Sequence, residues 1–114
     1  MRVKTGFARR RAHKKVLSQT KGFRMTKRRL IKVAKEALLH AGSYAYTGRK
    51  DKKADLRKLW IIRITGALSE SGLSYNQFVK GLKDKNIEID RKILAELIQD
   101  DPQAFQKIVE EVRN

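Results

Sequence analysis

The apolar positions in the second half of the chain are spaced for short helices that bury one face. Leu73 and Phe78 flank Ser74 as a hydrophobic staple, and Gln77, three residues after Ser74, completes a capping box. The pattern therefore predicts a helix that begins at Ser74 and ends at Asn86, a residue type that tolerates left-handed backbone.

Two more helices are predicted downstream. Asp90 is a suitable N-cap for the first, and Asp101-Pro102 puts proline at the first position of the second. Their apolar stripes comprise Ile93, Leu94, Leu97 and Ile98 in the first, and Phe105, Ile108, Val109 and Val112 in the second.

A fourth helix is predicted upstream, where Leu56, Leu59, Trp60, Ile64 and Leu68 also recur at helical spacing. Only residues 87–89 show the alternation of apolar and polar residues that is typical of a strand, and three residues do not make a sheet. We therefore predict an all-α protein in which residues 59–114 form a small, compact four-helix domain. Its expected structural core comprises Leu59, Trp60, Ile64, Leu68, Phe78, Leu82, Leu94, Leu97, Phe105 and Ile108.

The first half predicts a long helical extension with little core of its own. Residues 9–20 are compatible with a helix, and Gly22 is a natural stop. Thr26 is a candidate cap for a longer helix whose apolar stripe is narrow and mostly alanine. Gly42, Gly48 and the Tyr44–Tyr46 segment are expected to interrupt or bend that helix before it resumes near Lys50.

Charge separates the two halves more sharply than hydropathy does. The chain has 28 lysines and arginines against 12 acids, a net charge of +16. Residues 1–65 hold 21 basic and 3 acidic residues, whereas residues 66–114 hold 7 and 9. This asymmetry predicts a basic extension over residues 1–58 for a polyanionic partner, with the junction within residues 55–65. Repulsion between like charges is expected to leave about the first 25 residues disordered until phosphates neutralise them.

The longest apolar run, residues 59–62, is closed by Lys58 and Arg63, so a membrane span is excluded and a soluble, cytoplasmic protein is expected. A secretory signal is not expected, because no apolar stretch follows the charged start at residues 1–4. A transit peptide is harder to dismiss because residues 1–35 contain no acid, although Ser18 is the only serine among them. The sequence contains no cysteine, which excludes disulfides and thiol chemistry and fits a reducing compartment.

Basic clusters recur along the whole extension and cover several helix faces, which favours RNA over a membrane surface. Aromatic residues lie among them, and such rings stack on bases in RNA loops. The candidate RNA-binding residues are Arg2, Lys4, Phe7, Arg9, Arg10, Arg11, His13, Lys14, Lys15, Lys21, Phe23, Arg24, Lys27, Arg28, Arg29, Lys32, Lys35, Tyr44, Tyr46, Arg49, Lys50, Lys52, Lys53, Arg57, Lys58 and Arg63.

Catalysis and cofactor binding find little support in the sequence. Glu36, Asp51 and Asp55 are too dispersed for a two-metal nuclease site, and His13 and His40 lack a nearby ligand pair. No phosphate-binding glycine-rich loop occurs. We therefore expect no enzyme activity, no catalytic or metal-binding residue, no cofactor and no small-molecule substrate. A DNA-compacting architectural protein remains an alternative, and a basic ribonuclease is a weaker one.

Several segments together resemble the ribosomal protein L20 family of the bacterial large subunit. They run from Ala8 to Leu17, from Lys21 to Phe23, from Tyr44 to Tyr46 and from Arg57 to Ile61. Further similarity lies at Arg49, Lys53, residues 72–75, residues 81–82 and residues 90–95, so the resemblance spans essentially the whole chain. Two departures stand out. Arg24-Met25 replaces an aromatic residue and a glycine, and Leu56 stands where phenylalanine is common.

The resemblance implies an all-helical protein whose basic extension threads into large-subunit rRNA and whose C-terminal domain lies on the outer side of the subunit. It also implies a role in early subunit assembly, neighbouring ribosomal proteins as partners and, in some members, repression of synthesis through the protein's own mRNA. The protein would be located in the ribosome of a bacterium or of an organelle of bacterial descent.

Overall fold

The computed structural model describes residue 2 and residues 4–114, and every regular element in that part of the chain is helical. The helices are α1 (Gly6–Gln19), α2 (Ile31–Leu68), α3 (Tyr75–Asp84), α4 (Arg91–Asp100) and α5 (Pro102–Arg113), with short 3-10 segments at Met25–Arg28 and Ser69–Ser71. The all-α prediction is confirmed. The chain divides between Lys50 and Asp51 into two compact units, called here the N-terminal unit and the C-terminal unit.

In the N-terminal unit, α1 ends at Gln19, and the next residue, Thr20, donates hydrogen bonds to carbonyls in the last turn of the helix. The backbone N–H of Thr20 bonds to the Val16 carbonyl at 3.2 Å, and its buried hydroxyl donates to the Leu17 carbonyl at 3.2 Å. Gly22 follows with a φ of 84°, a left-handed conformation that glycine adopts at little cost. The chain therefore turns at the predicted stop, although α1 begins at Gly6 rather than at Arg9.

The prediction that Thr26 caps the long helix is wrong. Met25 has a φ of 59° and opens a 3-10 turn, so Thr26 lies inside Met25–Arg28 rather than ahead of α2. Its carbonyl accepts the N–H groups of Arg29 and Leu30, both at 2.9 Å. Arg29, with a φ of −120°, then interrupts the helical conformation, and α2 begins at Ile31.

The expected break at Gly42, Gly48 and the tyrosines is also wrong, because α2 runs through 38 residues without interruption. Glycine inside a helix costs about 1 kcal/mol relative to alanine, which weakens a helix of otherwise good formers but does not end it. All residues from 42 to 59 are exposed, and six of them are basic. This stretch of α2 buries no side chain of its own.

The core of the C-terminal unit is built from all four of its helical pieces. Ile64 and Leu68 of α2 and Phe78 are fully buried, and Leu82, Leu94, Phe105 and Val109 complete the cluster. Phe78 and Phe105 meet at 5.8 Å between ring centroids with a tilt of 54°. Leu97 and Ile108 are partly buried against this cluster.

Two residues expected in the core lie elsewhere. Leu59 is 40% exposed, because five residues before Ile64 it points to a different face of α2. Trp60 shares the face of Ile64 but lies one turn earlier, and it is only half-buried. The buried face of α2 therefore begins after Trp60.

The predicted helix ends of the C-terminal unit are largely confirmed. Ser74 and Gln77 form the reciprocal capping box, with bonds of 3.0 and 3.3 Å, and Asn86 has a left-handed φ of 55°. Pro102 occupies the first position of α5, while the Asp101 carboxylate accepts the Ala104 N–H at 3.2 Å. Asp90 holds the N-cap position of α4, but its side chain accepts no capping bond.

Candidate nucleic-acid interface

All 26 predicted RNA-binding residues are accessible to a partner. Twenty-three of them are exposed, and His13, Phe23 and Arg63 are partly exposed. On α1 the basic residues at positions 9–11 are consecutive, so they project about 100° apart and cover several sides of the helix. No residue of α1 is fully buried, but His13, Val16 and Leu17 are partly buried, so the rest of the helix surface is available.

The positive charge is not neutralised within the protein. Among the described residues, no lysine or arginine lies within 4.0 Å of a carboxylate, and the one pair of opposite ionisable groups is His40 with Glu36. Residues 1–50 hold 16 basic residues and a single acid, Glu36, a net charge of +15, whereas residues 51–114 hold 12 and 11. The N-terminal unit therefore has almost no internal counter-charge, and its positive field favours an external polyanion.

Two aromatic rings of the N-terminal unit carry a cation over their face. The Arg11 guanidinium lies 5.1 Å from the centre of the Phe7 ring, and the Lys50 ammonium lies 4.5 Å from that of Tyr46. Both rings remain exposed, at 68% and 58% respectively. Each pair presents a flat apolar surface next to a positive charge, the combination that stacks on a base and contacts its phosphate.

A cleft of about 450 Å³ brings several of the predicted residues together. We call it the aromatic cleft. Its walls come from the Met25–Arg28 region and from the N-terminal part of α2, and its lining comprises Phe23, Arg24, Lys27, Val33, Glu36, Ala37, His40, Ala41 and Tyr44. Phe23, Arg24, Lys27 and Tyr44 were predicted from the sequence as RNA-binding residues, and the fold gathers all four around one concave surface.

Glu36 and His40 were not predicted as members of this site. Glu36, His40 and Tyr44 follow one another at intervals of four residues, which places them in one row along α2. The His40 and Tyr44 rings are stacked at 6.0 Å with an angle of 24°, and His40 Nε2 lies 3.8 Å from a Glu36 carboxylate oxygen. The four-residue spacing is visible in the sequence and signals this row.

The C-terminal unit has a smaller basic cleft of about 240 Å³, lined by Arg57, Trp60, Asp90, Arg91 and Lys92. Of these, only Arg57 was predicted to bind RNA. Arg91 and Lys92 open α4, and no sequence pattern indicates that they lie beside α2. Trp60, which was expected inside the core, lines this cleft instead.

Within the described residues, no group of three or more histidines, cysteines, aspartates or glutamates is arranged to hold a metal ion. Over the same range, no helix combines the length and the apolarity needed to cross a bilayer.

Comparison with known proteins gives a consistent result over nearly the whole chain. Residues 2–108 match the family described as Ribosomal protein L20. The "Large ribosomal subunit protein bL20" of Acidovorax sp. (strain JS42) is 51% identical over 112 residues, which cover 98% of this chain and 94% of that protein. The protein of the same name from Roseiflexus sp. (strain RS-1) is 47% identical over 112 residues, with 98% and 96% covered.

Proposed function

The chain belongs to the ribosomal protein L20 family, and from this premise we propose that it is a structural, non-enzymatic constituent of the bacterial large ribosomal subunit that binds large-subunit rRNA directly. The observation that carries the RNA-binding part is the unpaired charge of the N-terminal unit. A surface with 16 basic residues and one acid, none of them joined in a lysine or arginine ion pair within the described residues, favours a phosphate backbone as its counter-charge.

The mechanism is electrostatic and positional. Each lysine or arginine that neutralises a phosphate releases condensed counterions, and this release supplies most of the binding free energy. The exposed side chains of α1 and of residues 42–59 then lie between RNA helices whose phosphates would otherwise repel one another. Residues 59–114 form the folded domain that fixes the position of the basic extension, residues 1–58.

Folding of the extension is coupled to binding in this proposal. Eighteen consecutive residues of α2, positions 42–59, are exposed and bury too little apolar surface to offset the entropy of ordering them. In the free protein, part of the extension is therefore disordered, and RNA phosphates supply the missing stabilisation. Circular dichroism tests this directly: the helical signal of the protein should increase when rRNA is added, and equal signals would contradict the coupling.

Such an extension suits an early step of subunit assembly, because a cationic segment that enters between RNA helices is accommodated before those helices close. Neighbouring large-subunit proteins are the expected protein partners. Binding to the protein's own mRNA would follow if that message presents a similar RNA structure.

The decisive experiment compares rRNA with duplex DNA. The dissociation constant of the full chain is measured for a folded large-subunit rRNA fragment and for duplex DNA of equal length, between 50 and 200 mM salt. We expect a preference for rRNA, with affinity that falls by roughly 10³ over this range if about six phosphates are contacted. Equal affinity for the DNA duplex would favour a DNA-compacting protein instead. Chemical footprinting of the rRNA should show discrete protected sites.

A further inference from the structure

We propose that the aromatic cleft binds one unstacked guanine base of the RNA, with the Glu36 carboxylate accepting hydrogen bonds from its Watson–Crick edge. The proposal rests on the proposed rRNA-binding function and adds a base-specific contact to it. Phosphate contacts position a protein on RNA but do not read its sequence, whereas contacts to base edges do. A guanine site would therefore fix the register of the N-terminal unit.

The first observation behind the proposal is the position of the single acid of the N-terminal unit. Glu36 is the only carboxylate among residues 1–50, and it lies in the lining of the aromatic cleft together with Arg24 and Lys27. Its side chain is 72% exposed. If the cleft received only phosphate, an exposed carboxylate there would repel it. A ligand group that donates hydrogen bonds gains from the same carboxylate.

The carboxylate is also available to a ligand. Its one ionisable neighbour within 4.0 Å among the described residues is His40, and at 3.8 Å that contact is too long for a hydrogen bond. An ionised carboxylate is purely an acceptor, with two oxygens side by side. It therefore fits a partner that offers two adjacent N–H donors in one plane.

Guanine is the RNA base with that edge. Its N1–H and N2–H₂ groups are neighbours on the Watson–Crick edge, whereas adenine, cytosine and uracil each offer a single donor group there, next to one or two acceptors. Bases in single-stranded loops and bulges expose this edge, since it is not used in pairing. The chemistry of Glu36 thus selects guanine among the four bases.

The remaining lining suits a flat aromatic ligand. The Tyr44 ring is 71% exposed and stacked on His40, which leaves ring surface on which a base can stack. Ala37 and Ala41 line the cleft with small side chains that leave room for a planar ring. Arg24 and Lys27, on the opposite wall, supply cations for the phosphate of the same nucleotide.

The test is the substitution Glu36→Gln, because the two explanations of Glu36 predict opposite changes in the affinity for RNA. Removing a negative charge from a strongly basic surface should tighten RNA binding if the carboxylate only repels phosphate. If it reads guanine, the variant loses a bidentate contact, and affinity for the rRNA fragment should fall about tenfold at constant salt. Binding that is equal or tighter than that of the unaltered protein overturns the proposal.

Chemical probing identifies the base. A glyoxal reagent that modifies guanine at N1 and N2 should find one guanine protected by the unaltered protein and reactive again in the Glu36→Gln complex. Replacing that guanine with inosine, which lacks the N2 amino group, should weaken binding of the unaltered protein more than that of the variant. The absence of any guanine protected at this edge also overturns the proposal.

Lys35→Gln is the matched control, since Lys35 is exposed, adjacent in sequence and outside the lining of the cleft. It should lower affinity and reduce the salt slope by about one phosphate contact, while the guanine stays protected. Circular dichroism of each complex verifies that helicity is unchanged. If the unaltered protein does not bind rRNA at all, the proposed function fails; if it binds and only the Glu36→Gln prediction fails, the guanine site alone is wrong.

Discussion

Arg91 Nε donates a hydrogen bond of 2.7 Å to the Tyr75 hydroxyl oxygen, which connects the first residue of α4 to the first residue of α3. Both side chains are partly buried. The two residues are 16 positions apart in the sequence, so the bond joins the N-terminal ends of two consecutive helices. It also fixes Arg91 in the lining of the basic cleft that contains Trp60.

Replacing Tyr75 with phenylalanine should destabilise the C-terminal unit by about 1 kcal/mol, because the guanidinium loses its acceptor while the ring keeps its packing. Urea unfolding followed by the fluorescence of Trp60, the single tryptophan, measures the change. Tyr46→Phe is the control, since Tyr46 is exposed and its hydroxyl has no hydrogen bond within the described residues. Equal stability of Tyr75→Phe and the unaltered protein would show that the bond contributes nothing.

The two N-caps of α3 and α4 should differ in strength. The Ser74 hydroxyl accepts the Gln77 N–H and forms half of a capping box, so Ser74→Ala should cost about 1 kcal/mol in the free energy of unfolding. Asp90 occupies the same position in α4 without a capping bond, and Asp90→Ala should cost distinctly less. The same urea titration measures both variants. A larger loss for Asp90→Ala would contradict the capping geometry.

At Gly81, the backbone of α3 lies directly against Val112 of α5. A Cβ atom at this position would overlap Cγ1 of Val112, a β-branched side chain with little freedom to move aside. Gly81→Ala should therefore destabilise the C-terminal unit by about 1–3 kcal/mol. Gly66→Ala is the matched control in α2, where an added Cβ meets open space, and it should stabilise the protein by roughly 0.5–1 kcal/mol. Unfolding midpoints that move in the same direction would refute this contrast.

Much of the C-terminal unit could be predicted because its signals are local. A serine followed by glutamine three residues on, or an aspartate followed by proline, specifies a helix start from the chemistry of four residues. Asn86 likewise marks the end of α3 through its own tolerance of a positive φ. These determinants do not depend on what the helix packs against.

The errors concern properties that a short sequence pattern does not determine. Gly42 and Gly48 weaken α2 locally, but the surrounding helix formers outweigh them. Whether Trp60 is enclosed depends on which turns of α2 the other helices cover, and spacing alone does not show that. Glu36 lines a cleft only because the region around Met25–Arg28 provides the opposite wall. A single sequence shows that residues lie in one row on a helix, but it does not show which other segment of the chain packs opposite that row.

Met25 and Gly22 provide a pair of backbone substitutions with opposite expected effects on rRNA affinity. Met25 adopts a φ of 59°, which costs a non-glycine residue about 1–2 kcal/mol, and its side chain is 76% exposed. Met25→Gly relieves that cost but adds entropy to the unordered chain, so the net gain is roughly 0.5–1 kcal/mol. Gly22 has a φ of 84°, and a Cβ atom added there would meet open space, so Gly22→Ala introduces strain without a clash.

Because the extension orders on binding in our proposal, both effects appear in the dissociation constant for the rRNA fragment. Binding should be about two- to fivefold tighter for Met25→Gly, and about fivefold weaker or more for Gly22→Ala. If both variants shifted affinity in the same direction, the left-handed turn would not be the conformation that the RNA-bound extension adopts.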